Sequence, residues 1–110
     1  MVASKNSALA VETKTVEGGY VDLQITEYGR LVWLRVSSNT KLNMVAQTEY
    51  NVFQIGQKPR YSIYRRIYIS DQNGFIFKVS TDGGVSITPF GDNISPGTGI
   101  NVSELYITTN

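Results

Sequence analysis

The side chains of this chain best suited to binding chemistry are aromatic, basic or amide-bearing, and the usual catalytic types are missing. The sequence holds no histidine and no cysteine. That removes most zinc and copper sites, Ser-His-Asp triads, thiol nucleophiles and disulfides. Paired carboxylates, as in glycoside hydrolysis, are the remaining catalytic route, and Asp22, Glu49 and Asp92 carry no spacing that marks such a pair. No enzyme activity, cofactor or metal is expected, which leaves noncovalent recognition.

Three groups of residues have side chains for that task. Trp33 is the single tryptophan, and on a strand Leu31 and Arg35 share its face. An indole ring packs on the apolar face of a sugar while arginine, amides and carboxylates hold the hydroxyls. The plainer reading of Trp33 is core or subunit-interface packing. Lys58, Arg60, Arg65 and Arg66 interleave with Tyr61, Tyr64 and Tyr68, the mixture a single-stranded nucleic-acid groove uses. Adjacent Arg65 and Arg66 must point to opposite faces of a strand, and the net charge is only +1, from 10 Lys and Arg against 9 Asp and Glu. Edge-strand charge with tyrosine packing is therefore preferred there, and no nucleic acid is expected as a partner. Asp92 and Asn93 lie in the irregular segment GDNISPGTG, where such residues form turns and also carry recognition. The ligand-binding candidates are Trp33, Arg60, Tyr61, Asp92 and Asn93.

The elements that must position them read as strands. Between Tyr64 and Phe90 three apolar-alternating runs, Arg66 to Ser70, Phe75 to Ser80 and Val85 to Pro89, are separated by Asp71-Gln72-Asn73-Gly74 and Asp82-Gly83-Gly84. Turn residues of this kind supply the positive φ angles of tight hairpins, so the stretch predicts an antiparallel three-stranded meander. Before it, Ala8 to Val16 predicts an edge strand, and Tyr20 to Thr26 a strand with Val21, Leu23 and Ile25 inward. Leu31 to Val36 is apolar on both faces, which predicts that a packed sheet or a neighbouring chain covers the second one. Met44 to Ile55 predicts a strand with a break or bulge near Glu49 to Asn51, and Ile100 to Thr108 a closing strand.

About seven or eight short strands without an amphipathic helix predict an all-β fold, a compact antiparallel β-sandwich, jelly-roll-like, or a small barrel. At 110 residues one domain over residues 8–110 is expected, preceded by a flexible tail at residues 1–7. The N-terminus lacks the apolar core of a secretory signal and no apolar run reaches membrane-spanning length, so a soluble product of a cytoplasm, without membrane insertion, is expected.

The C-terminal half resembles the head domains of bacteriophage receptor-binding and fibre proteins from phages of Gram-positive bacteria. The likeness rests on the Pro59-Arg60-Tyr61 loop before a strand, the turn with Gly74 leading to Phe77-Lys78-Val79, the run Thr81-Asp82-Gly83-Gly84-Val85-Ser86-Ile87, and the ending Ser103 to Tyr106. Gly19-Tyr20-Val21-Asp22-Leu23 followed by Gly29 is similar to that family's first hairpin. The chain departs from the family where Arg60-Tyr61 stands in place of an Arg-Pro pair. The resemblance implies a β-sandwich head in a virion tail, baseplate or fibre, a homotrimer in contact with other virion proteins, and noncovalent binding of a bacterial cell-surface polysaccharide during host adhesion. It carries no ligand residue onto this chain. A structural virion component without saccharide binding is the alternative, and the loops flanking the meander, residues 56–62 and 91–99, are where a site is expected.

Overall fold

Alternating side chains and frequent turn residues produce eight strands and no helix in the computed structural model, which describes residues 11–109. The expected tail at residues 1–7, and Ala8 to Ala10 of the expected first strand, lie outside the described residues. The strands are β1 (Val11–Glu17), β2 (Asp22–Tyr28), β3 (Leu31–Asn39), β4 (Tyr50–Gln54), β5 (Ile63–Tyr68), β6 (Gly74–Val79), β7 (Gly84–Phe90) and β8 (Gly99–Ile107). They form two antiparallel four-stranded sheets, ordered β1-β2-β3-β8 and β4-β7-β6-β5. The fold is a small β-sandwich.

Strand periodicity decides what lies between the sheets. Val21, Leu23 and Ile25, Val32, Leu34 and Val36, and Ile100 and Val102 point inward from the first sheet, and Phe75, Phe77, Val79, Val85 and Ile87 from the second; all belong to one buried cluster. The meander is present as β5-β6-β7, and its second turn is built as expected: Gly83 takes φ +91°, the Ser80 N–H donates to Gly84 O, and Asp82 Oδ1 accepts from the Gly84 N–H. The first turn works differently. Neither Asn73 nor Gly74 has a positive φ. A Cβ at Gly74 would lie 2.0 Å from the Ile67 carbonyl oxygen, so this glycine serves close strand approach instead of backbone handedness.

Two other expectations need correction. Met44 makes an isolated bridge to Ile94, and the strand begins only at Tyr50, because the intervening residues form a loop around Gln47, at φ +67°. The expected break or bulge is present as a register shift in β4 between Asn51 and Phe53, at the C-terminal end of the stretch expected to hold it. Among the described residues the second sheet meets β3 on its Val32, Leu34 and Val36 side, so of the two covers expected for the other face, a packed sheet or a neighbouring chain, the sheet is not found there.

The two sheets are tied at both edges. Arg65 turns inward from β5, and its Nε lies 3.0 Å from both carboxylate oxygens of buried Glu104 on β8. Arg66, its neighbour, turns outward, as adjacency on a strand requires. On the opposite edge, Tyr20 and Tyr50 meet with ring centroids 5.1 Å apart.

Candidate functional site

On the face of the first sheet turned away from the core, register fixes transverse rows of side chains, three of which span all four strands. A tight turn with Gly29 at φ +60° pairs Tyr28 with Leu31, and this sets the β2–β3 alignment. The first row is Val11, Tyr28, Leu31 and Ile107; the second is Thr13, Thr26, Trp33 and Leu105; the third is Thr15, Gln24, Arg35 and Ser103. The face therefore grades from wholly apolar to wholly polar. Ile107 and Leu105 are 53% and 62% exposed.

Trp33 stands at the boundary between these halves. Its Nε1–H donates to Ser103 Oγ at 2.8 Å, and the Arg35 guanidinium lies over its ring, 4.1 Å from the centroid. Arg35 Nη2 donates to Thr26 Oγ1 at 3.2 Å, and that hydroxyl also lies 3.0 Å from the Thr13 hydroxyl. The indole is thus fixed in orientation by a hydrogen bond along its edge and a cation on its face. A shallow depression of about 550 Å³ opens beside it, lined by Gln24, Trp33, Arg35, Ser37, Asn101 and Ser103. Its polar lining is made of amides, hydroxyls and one cation. The acid at the far end of the face, Asp22, is held below its ordinary value of 3.8 chiefly by a hydrogen bond from Lys41, whose Nζ lies 2.8 Å away.

The other candidate residues sit apart. Arg60 and Tyr61 are in the β4–β5 loop beside the end of β8, where Pro59 bridges Thr108. The loop is strapped to the first sheet, because Thr108 Oγ1 donates to Lys58 O at 2.9 Å and Tyr106 OH donates to Gln57 O at 2.6 Å. Beyond these straps Tyr61 is 80% exposed, and a cleft runs between it, Ile63, Tyr106 and Ile107. Asp92 and Asn93 lie in the β7–β8 loop at the start of β8, the opposite end of a strand that spans about 30 Å at the usual rise per residue. Both make turn contacts: the Asp92 N–H donates to Asn73 Oδ1 at 3.0 Å, and Asn93 Oδ1 accepts the Ala46 N–H at 2.8 Å. Among the described residues no cluster of acids suited to a metal occurs.

The two loops expected to flank a site therefore cannot serve one small ligand together. Trp33 is the candidate with the most complete polar surroundings, and Gln24, Ser37, Asn101 and Ser103 join it without having been singled out from the sequence. Gln24 could have been found, since the two-residue turn at Gly29 and Arg30 places it opposite Arg35. The β8 residues carry no such local signal. No known family model matches this chain, and no curated protein matches its sequence.

Proposed function

We propose that this protein is a phage tail, baseplate or fibre module that holds a bacterial cell-surface saccharide noncovalently, using the polar half of the outer face of the first sheet. The observation that carries the saccharide reading is Trp33, an oriented and partly exposed indole beside a depression of amides, hydroxyls and a guanidinium. Sugars are held by this combination, with ring faces on the aromatic and hydroxyls on dense donors and acceptors. The virion setting comes from the resemblance of the sequence's pattern of turns and alternation to phage head domains. Binding of the purified protein to host cell-wall fragments and to a glycan array tests the proposal. Selective binding that falls at least tenfold in Trp33→Ala supports it, and absence of wall binding by the unaltered protein overturns it.

A second reading is favoured by the apolar half of the same face. Val11, Tyr28, Leu31 and Ile107 form a continuous exposed row, the surface expected of a strand sheet that meets another virion protein or copies of itself. A homotrimer fits this reading, and light scattering at micromolar concentration tests it: a monomer unaffected by Ile107→Ser sets self-association aside.

A further inference from the structure

We infer that the Trp33 depression takes an acidic sugar unit, one carrying a carboxylate or a phosphate, with Arg35 as the group that selects for the charge. The inference rests on the saccharide reading above and names its ligand class. Arg35 makes one hydrogen bond to a described residue, from Nη2 to Thr26 Oγ1, and no ion pair. Its buried Nε has no partner. An arginine without an ion pair to any described carboxylate keeps most of its donor capacity and its charge for another partner.

The neighbours of Arg35 do not compensate it. Directly across the sheet stand Gln24 and Ser103, both neutral. Of the acids on this face by register, Asp22 is engaged by Lys41 and by the Gly18 N–H, and Glu17 lies beyond Asp22 on the outer strand. Every residue lining the depression other than Arg35 is neutral.

Geometry favours an oxyanion over a plain hydroxyl. The guanidinium is already held over the indole and tethered to Thr26, so little side-chain freedom remains to be lost on binding. A planar, pre-set fork suits the paired oxygens of a carboxylate or phosphate. Gln24, Asn101 and Ser37 are placed around it to meet hydroxyls of the same sugar. The stack on Phe90 differs in the ring beneath it: Arg66, which also donates one hydrogen bond, from Nε to Tyr68 OH at 3.1 Å, covers a ring that is 8% exposed and offers a sugar no aromatic face.

The test is a titration of the full chain, labelled with ¹⁵N, by methyl glucoside, methyl glucuronide and glucose 6-phosphate, following the Trp33 indole N–H. The expected result is binding of one or both charged sugars about tenfold tighter than the glucoside, reduced about tenfold in Arg35→Gln and less in Arg35→Lys. Arg66→Gln, altered on the other face, is expected to leave all three titrations unchanged. The glucuronide and phosphate arms tell which anion is preferred. Equal binding of all three sugars overturns the charge selection while leaving the saccharide reading standing. No response of Trp33 to any of them overturns both. A folded Arg35→Gln variant with undiminished preference for the charged sugars overturns the role of Arg35.

Discussion

Each outer face of the sandwich carries an arginine stacked on an aromatic ring, and the two stacks have opposite consequences. On the second sheet Arg66 and Tyr68 close over Phe90, whose ring also fills the space above Gly74, directly opposite it in the ladder. The result is a small apolar cluster sealed by its own chain. On the first sheet Arg35 stacks on Trp33, yet the indole remains 39% exposed and the apolar residues beyond it are left exposed by the described residues. The same pair of residue types therefore finishes one face and leaves the other open. What separates them is the partner of the guanidinium: a tyrosine hydroxyl that completes the cluster on one side, and a threonine that only orients it on the other.

The largest effect that would break this comparison is on stability. Phe90→Ala removes a buried ring and leaves the hole above Gly74 unfilled, and is expected to cost about 3 kcal/mol, as buried Phe truncations do. Trp33→Ala removes a larger ring from a half-open site on the outer face and is expected to cost about 1 kcal/mol or less, since the ring is 39% exposed and lies outside the buried cluster between the sheets. Chemical denaturation of both variants measures the difference. Equal losses would show that Trp33 is a packing residue after all, and the distinction between the faces would fall.

The second effect lies at the seam joining the sheets. Arg65→Ala leaves the Glu104 carboxylate buried without its ion-pair partner, and is expected to cost about 2 kcal/mol. Glu104→Gln keeps an acceptor and leaves a mostly exposed arginine that water can solvate, so its expected cost is about 1 kcal/mol or less. Denaturant midpoints check the order. A reversed order would mean that the mostly exposed guanidinium, and not the buried acid, is the costlier partner to leave alone.

How much of this was legible in the sequence depends on how local its cause is. The meander could be read because each hairpin is closed by its own turn residues, and the inward phase of β2 and β3 because Val21, Leu23, Ile25 and Val32, Leu34, Val36 alternate without interruption. The apolar second face of β3 was legible as a pattern, but its fate was not. That depends on β8, which arrives from more than sixty residues away to place Leu105 and Ile107 beside Trp33 and Leu31. Long-range pairing has no turn to announce it. The β4 region misled for the reverse reason: its apolar residues suggested one strand, while Met44 and Tyr50 are anchored to different partners, Ile94 and Ile87. Of the site candidates, Trp33 was visible by type alone. Asp92 and Asn93 turned out to hold the ends of a loop, as turn formers do.

The smallest effects are in the pH dependence, which separates surface carboxylates from one phenol at the seam. Glu49 is held below its ordinary value of 4.5, first by the Ser86 hydroxyl and then by Lys78, and Asp22 below 3.8, first by Lys41. Depressed folded values mean that the unfolded chain takes up protons first as pH falls. Stability from these groups is therefore present above the ordinary values and lost below them, so thermal midpoints should stay level from neutrality to about pH 5 and decline beneath it. Glu49→Gln on the second face and Asp22→Asn on the first should each flatten part of that decline. Tyr106 has the opposite sense. Burial, and secondarily the Glu27 carboxylate, push its phenol above the ordinary value of 10.0. The folded state then keeps a proton that the unfolded chain releases, so stability is full below that value and falls as pH rises past it. Tyr106→Phe loses the bond to Gln57 O, lowering the midpoint slightly at neutrality, but should remove the alkaline decline. If the decline persists in Tyr106→Phe, its source is elsewhere, and the strap between the β4–β5 loop and the first sheet contributes less than its short hydrogen bond implies.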